Sequence, residues 1–369
     1  MNILINCSNL KKGGGQQVGD SICGMLDKFD QHKFIVVLSS YMDNTAQKIA
    51  RYDNVKVVRH DIRNDWKSLL LGRDTVLDGL VKEHGVEAVL TVFGPSRWRP
   101  RCKHLCGFAR PHLVLGDSPY YKQMSWKQIT KEKSLNKVLG YFFQRDADMF
   151  WTENPYITEK LKKLFHKKRV ETVTNYYNQV FDTPEQWKRK DIGEFEGVTI
   201  LSVNAPYPHK NMEIALDAAK ILRTEHPDFK FRFVMTIPME AYPQIPPELA
   251  PHFNLIGKVD ISEVPSLYEQ ADICFQPSLL ECFSATYPEA MRMEVPIVTT
   301  DVEFAKGLCG AAAEYYSAVD PASAADAIYR VATDKALRTK LIENGKSQLR
   351  TFDNYEARAT KLINLLETI

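Results

Sequence analysis

Short apolar runs rich in β-branched residues recur along the first half of the chain, at residues 2–7, 33–39, 55–58, 86–92 and 104–108, and polar stretches with helical periodicity separate them. That alternation predicts strands joined by helical crossovers, and therefore a parallel sheet. A charged stretch containing Pro and Gly, residues 184–197, interrupts the rhythm, and a second series follows at 198–203, 229–235, 253–256, 273–276, 296–299 and 313–316. Helical periodicity dominates from 322 to 366. Two Rossmann-like α/β domains facing across a cleft are the simplest architecture, with residues 1–183 in the first, 184–351 in the second, and a terminal helix at about 352–369 returning to the first.

Length agrees, because 369 residues exceed one ordinary core. With 44% hydrophobic and 25% charged residues the composition is that of a folded soluble protein. No apolar run reaches the roughly 20 residues of a membrane helix, and residues 3–7 are too short for a signal-peptide core, so a cytoplasmic protein is expected. Seven scattered cysteines fit reduced thiols better than a disulfide framework. Cys102, His104 and Cys106 lack a second ligand pair, so no metal site is expected there. The net charge of +2 conceals a division. Residues 1–190 carry 32 Lys and Arg against 20 Asp and Glu, a balance of +12, whereas residues 191–369 carry 16 against 26, a balance of −10. Such asymmetry points to an anionic partner for the basic half. Residues 122–137 and 160–169 interleave cations with Tyr121, Trp126, Leu135 and Leu139, which suits an anionic membrane surface, possible alongside a solvated-face reading. No nucleic-acid recognition module is present.

In parallel α/β sheets ligands collect beyond the carboxyl ends of strands, and the unusual residues follow strands. Lys11-Lys12-Gly13-Gly14-Gly15 follows the first and matches neither the P-loop nor the dinucleotide fingerprint. Residues 204–211, Asn-Ala-Pro-Tyr-Pro-His-Lys-Asn, follow the first strand of the second series and set Lys210 where diphosphate charge could be neutralised. Residues 277–291, Pro-Ser-Leu-Leu-Glu-Cys-Phe-Ser-Ala-Thr-Tyr-Pro-Glu-Ala-Met, place Glu281 on a loop and Glu289 a turn inside a helix that Ser284 can cap. Ionised carboxylates there can accept bonds from paired sugar hydroxyls, and a helix N-terminus attracts phosphate.

The 277–291 stretch resembles the E-x7-E signature of retaining GT-B glycosyltransferases of glycosyltransferase family 4, and the His-Lys-Asn segment is similar to the same family's phosphate loop. The resemblance implies a GT-B fold and transfer of a sugar from a nucleotide-diphosphate sugar to a saccharide or lipid-linked acceptor. It implies no cofactor beyond that donor substrate and no metal. Lys210 would bind phosphate, Glu281 sugar hydroxyls and Glu289 the ribose. Gly14 and Gly15 would approach the donor phosphates, Phe283 and Ser284 would line the loop, and Gly257 and Val259 would meet the base. His112, with His104 as runner-up, would face the donor sugar from the first domain. An arginine present in many relatives is replaced in the region of Asn204, Ala205 and Pro206, which leaves Arg110 or another cation as a possible helper. Two rival readings remain: a non-catalytic scaffold in a polysaccharide-assembly complex, and a sugar-nucleotide epimerase.

Overall fold

The computed structural model describes residues 1–11, 13–63 and 65–369; Lys12 of the glycine loop lies outside them. The chain divides into two compact units. One comprises Met1–Gly116, Met124–Asn175 and Asp353–Ile369, and the other Asp117–Gln123 and Tyr176–Phe352. The division falls shortly before the charged stretch. The short segment Asp117–Gln123 joins the second unit because Ser118 Oγ donates to the Leu279 carbonyl at 2.6 Å and Gln123 Nε2 to Asn211 Oδ1 at 3.1 Å.

The first unit holds β1 (Asn2–Cys7), β2 (Lys33–Leu38), β3 (Val55–Arg59), β4 (Ala88–Thr91), β5 (Lys103–Gly107), β6 (Met149–Thr152) and β7 (Arg169–Thr172), in the spatial order β3-β2-β1-β4-β5-β6-β7 with every neighbouring pair parallel. The predicted runs form strands. β6 and β7 lie where the pattern predicts none: each has four residues, β6 follows directly on the helix Trp126–Asp146, and β7 is a charged Arg-Val-Glu-Thr edge strand. Alternate residues feed opposite faces, so Ile3, Ile5, Phe34 and Val36 enter one core while Leu4, Ile35 and Val37 enter the other. Both faces are covered, and for that reason these strands are continuously apolar rather than alternating.

The second unit repeats the plan with β8 (Val198–Ser202), β9 (Phe231–Met235), β10 (Phe253–Leu255), β11 (Ile273–Gln276), β12 (Ile297–Thr300) and β13 (Ala313–Tyr316), ordered β10-β9-β8-β11-β12-β13 and again parallel. Numbered within the unit, this is the 3-2-1-4-5-6 order of a doubly wound nucleotide-binding sheet.

The helical tail consists of Pro321–Thr333, Lys335–Leu349 and Tyr355–Glu367, capped by the side chains of Asp320, Asp334 and Asn354. The last helix belongs to the first unit, where Ala359, Leu362, Ile363 and Leu366 are buried in the core of β1, β2 and β4. Each large apolar side chain so placed contributes about 1.5–3 kcal/mol. Asp353 ties the start of this segment down by accepting from Thr174 N and Oγ1 at 2.9 and 3.1 Å, while its own N–H donates to Thr174 Oγ1 at 2.6 Å.

Gly107 is required by this packing. A Cβ on Gly107, the last residue of β5, would sit 1.8 Å from the Val92 carbonyl and 2.9 Å from the Trp151 ring, whereas one on Gly14 would meet nothing within 4 Å. Gly107→Ala should therefore cost about 3 kcal/mol of stability or more, and Gly14→Ala under about 1 kcal/mol, in denaturant melts followed by circular dichroism. Equal midpoints for the two variants would contradict the packing at β4–β5.

Candidate functional site

In the second unit the strand order reverses direction between β8 and β11, and the loops leaving those two strands bring together residues 70 or more positions apart. A crevice beyond the carboxyl ends of strands at such a switch point is the usual ligand position of the fold. Lys210 is carried by a 3-10 turn, Pro208–Lys210, closed by Asn211 in the left-handed region at φ 52°. Its Nζ lies 2.8 Å from Glu281 Oε2, and both side chains are about nine-tenths buried, at 12% and 10% exposure. Lys210 thus sits before, rather than at, the next helix, which begins at Ile214.

The pair stands on a polar network that sequence inspection does not single out. Ser202 Oγ donates to the Phe275 carbonyl at 2.7 Å and accepts from Asn204 Nδ2 at 3.1 Å. Asn204 Nδ2 also donates to Gln276 Oε1, and Gln276 Nε2 donates to Ser284 Oγ at 2.6 Å and to Glu281 Oε1 at 3.4 Å. The one sequence signal is a glutamine closing an otherwise apolar buried strand, β11. Ser284 therefore does not cap the following helix. That helix, Thr286–Arg292, has Ala285 at its N-cap position with no side-chain cap bond, because the serine hydroxyl is turned inward to Gln276. With only seven residues the helix offers little dipole, so positive charge at this site is that of Lys210.

Three polar atoms of the same loops, Asn204 Oδ1, Asn211 Nδ2 and Ser278 Oγ, are buried without a hydrogen-bond partner among the described residues. Each such group costs about 1–3 kcal/mol, a burden that native structures carry mainly where function requires it.

Glu289 differs from Glu281. It is wholly buried, with Tyr268 Oη 3.4 Å from its Oε2, and burial pushes its carboxyl up to about 7 against the opposing pull of the Tyr268 hydrogen bond and the Lys210 charge. It is thus partly protonated near neutrality rather than a plain ionised carboxylate. Gly257, at φ 70°, and the half-buried Val259 follow β10, and the half-buried Phe283 stacks edge-on against Phe352 at 6.1 Å.

The remaining predicted residues belong to the first unit. Gly14 and Gly15 open the helix Gly14–Cys23 behind Gly13 at φ 72°. His112 lies on the short helix Pro111–Val114 with Nδ1 3.7 Å from Glu132 Oε1, and burial lowers its pKa. Arg110 is committed to Glu132 at 2.6 Å and Asn136 at 3.0 Å. His104 is structural: fully buried, bonded to Thr91 Oγ1 at 2.8 Å, its pKa pushed down to about 4 by burial. Asp146 and Asp148 have Asp-x-Asp spacing but serve Arg145 and the His104 N–H. Among the described residues no three His, Cys, Asp or Glu side chains gather as a metal site, and no helix is long and apolar enough to cross a membrane.

Residues 185–348 match the family model described as Glycosyl transferases group 1, which places the Lys210–Glu281 cluster inside the matched segment. The second unit carries the Glycosyl transferases group 1 match. A phosphatidyl-myo-inositol mannosyltransferase of Mycobacterium leprae is 24% identical over 165 residues, covering 44% of this chain and 44% of that protein's length. Among solved structures, a glycosyltransferase from Rickettsia africae superposes with a TM-score of 0.72 at 13% identity, covering 100% of this chain and 97% of the other. Sucrose-phosphate synthase from Thermosynechococcus elongatus gives 0.70 at 14%, covering 100% and 98%. Anabaena HepE, solved with UDP and glucose, gives 0.69 at 14%, covering 100% of both chains. These likenesses show the GT-B fold.

The raised Glu289 pKa makes stability depend on pH with a definite sign. Relative to the ordinary value of 4.5, the folded state holds the proton up to about 7, so this contribution is intact below pH 4.5 and is lost as pH rises through 7. Glu289→Gln should accordingly stabilise the second unit by on the order of 1–3 kcal/mol at pH 7 to 8 and not at pH 4.5, in thermal melts across that range. Equal destabilisation at both ends would show that the ionised form is the one the fold requires.

Proposed function

We propose that the protein is a retaining, metal-independent hexosyltransferase of glycosyltransferase family 4 type. It would move a sugar from a nucleotide-diphosphate sugar to a saccharide or lipid-linked saccharide acceptor in the synthesis of a cell-surface polysaccharide or glycoconjugate. The observation that carries this reading is the nearly buried Lys210–Glu281 pair at the switch point of a parallel sheet. Withdrawing two charges from water is costly, and an ion pair by itself is weak compensation. An arriving diphosphate would take Lys210 as its counter-ion and free Glu281 to accept bonds from sugar hydroxyls. The match to Glycosyl transferases group 1 over this unit supports the same reading, as does the likeness to HepE, which was solved with UDP and glucose.

In the reaction the bond between the anomeric carbon and the diphosphate oxygen breaks, and a bond to the acceptor oxygen forms on the same face. The acceptor's proton passes to the departing phosphate oxygen, so no protein nucleophile enters. Lys210 stabilises the charge that develops on the leaving group, the electrostatic contribution on which such a transfer depends. Glu289 is assigned to the ribose. The roles of Gly14, Gly15 and His112 rest on the family resemblance alone. The missing arginine in the region of Asn204, Ala205 and Pro206 gives the scaffold alternative some weight, the retention of Glu281, Glu289 and Lys210 together argues against it, and measured transfer decides between them.

The first unit presents a surface suited to a lipid-linked acceptor. On the helix Trp126–Asp146 the side chains of Lys127, Lys131, Lys133 and Lys137 are exposed together with Trp126 and Tyr141, at 71% and 62%, while Glu132 is held by Arg110. Cations beside exposed aromatic rings match the anionic boundary of a bilayer.

Three outcomes are expected. Lys210→Ala should weaken a nucleoside diphosphate about 10–100-fold in calorimetry while leaving the nucleoside unchanged, since its partner is phosphate. Glu281→Ala should remove on the order of 2–4 kcal/mol of transition-state stabilisation with the fold intact, and normal turnover at saturating donor would end the assignment. Vesicles containing anionic lipid should float the protein at low salt and release it at high salt, at about 1 kcal/mol per engaged lysine. Recovery in the soluble fraction under every condition would point to a soluble saccharide acceptor.

A further inference from the structure

Gln276 is fully buried and is held at both ends of its amide, which makes the orientation of the whole cluster a matter of donor and acceptor arithmetic. An ionised Glu281 can only accept, so the Gln276 NH₂ group must face it, and that same group donates to Ser284 Oγ. Gln276 Oε1 then points at Asn204 and must receive a proton from it, which turns Asn204 Nδ2 inward. The Ser202 hydroxyl proton is spent on the Phe275 carbonyl, so Ser202 accepts the second Asn204 hydrogen. Asn204 Oδ1 is consequently left buried with no partner among the described residues, a cost that follows from the direction imposed by Glu281. At the other end Ser284, already accepting from Gln276, donates its hydroxyl hydrogen to none of the described residues.

We propose that Gln276 is a positioning residue for the donor sugar. It holds Glu281 in its accepting orientation and leaves the Ser284 hydroxyl as an outgoing donor, so that the loop offers a sugar one acceptor and one donor side by side. The inference rests on the glycosyl-transfer reading and names the group on which that reading's Glu281 depends. Because the amide acts through Glu281 and Ser284, its removal alters recognition of the sugar and leaves recognition of the diphosphate, the partner of Lys210, unchanged.

The test uses the full chain and whichever of UDP-glucose, GDP-mannose or ADP-glucose shifts the wild-type melting temperature most. Gln276→Glu keeps the shape and removes both outgoing donors; Gln276→Met removes the amide, and either variant serves if the other melts abnormally. The nucleotide sugar should lose at least about 10-fold in affinity while the corresponding nucleoside diphosphate changes less than about 3-fold. Donor hydrolysis should show the loss in kcat/KM for the nucleotide sugar, while inhibition by the nucleoside diphosphate stays unchanged. On a background carrying both Glu281→Ala and Ser284→Ala, Gln276→Met should cost nothing further, because both of its routes of action are gone. If Glu281→Ala abolishes sugar discrimination and the Gln276 variants do not, or if the losses add on that background, Gln276 is structural and only this inference falls. If the wild type neither binds nor hydrolyses any of the three donors, the glycosyl-transfer reading falls and takes this one with it.

Discussion

The Lys210–Glu281 ion pair is the interaction around which the candidate site of the second unit is arranged. Two opposite charges about nine-tenths removed from water repay their desolvation only with close geometry and satisfied neighbours. The separation is 2.8 Å, and the second carboxylate oxygen accepts from Gln276. Asn204 donates to Gln276 Oε1 on one side and to the Ser202 hydroxyl on the other, and Ser202 donates in turn to the Phe275 carbonyl, so the Gln276 amide is held with its NH₂ group toward that oxygen. The fold supplies this by ending β8 and β11 side by side, so that residues far apart in sequence meet at one edge of the sheet.

The same strand ends explain why the two glutamates of the loop differ chemically. Glu281 leaves the sheet on a loop and meets a cation; Glu289, a turn into the following helix, is enclosed with Tyr268 and Cys274 and keeps its proton to about 7. Two carboxylates eight positions apart are thereby divided into an accepting ion and a partly neutral group, a separation that burial and one lysine suffice to create. In the first unit Glu153 and Arg358, both buried and within reach of each other's charge, show the same effect of burial. Burial raises the acid to about 7 and lowers the base to about 10, while Asn175 and Ser21 accept from the guanidinium.

The return of the last helix to the first unit follows from its apolar face. Ala359, Leu362, Ile363 and Leu366 lie on one stripe and fill the core beneath β1, and the reciprocal bonds between Thr174 and Asp353 fasten the beginning of that segment. A helix with such a stripe has no stable position in water, so its burial is compulsory; which surface takes it is decided by the shape of the core.

Sequence by itself determined the parallel α/β class, eleven of the strands and the candidate site loops, because a strand buried on both faces must be apolar throughout and ligands in such sheets collect beyond strand ends, where the unusual residues lie. It did not reveal β6, which follows directly on a long helix, or β7, a charged edge strand, and neither breaks the surrounding pattern. Lys210, Glu281 and Glu289 were legible from local order, but their states were not. Whether Ser284 caps a helix or accepts from a glutamine eight residues away, and whether Glu289 is charged, depends on which side chains close over them from other strands. Only the tertiary structure decided that, because hydrogen-bond direction and desolvation are properties of neighbours in space, and β8, β11 and the helix after it become neighbours only when the sheet has formed.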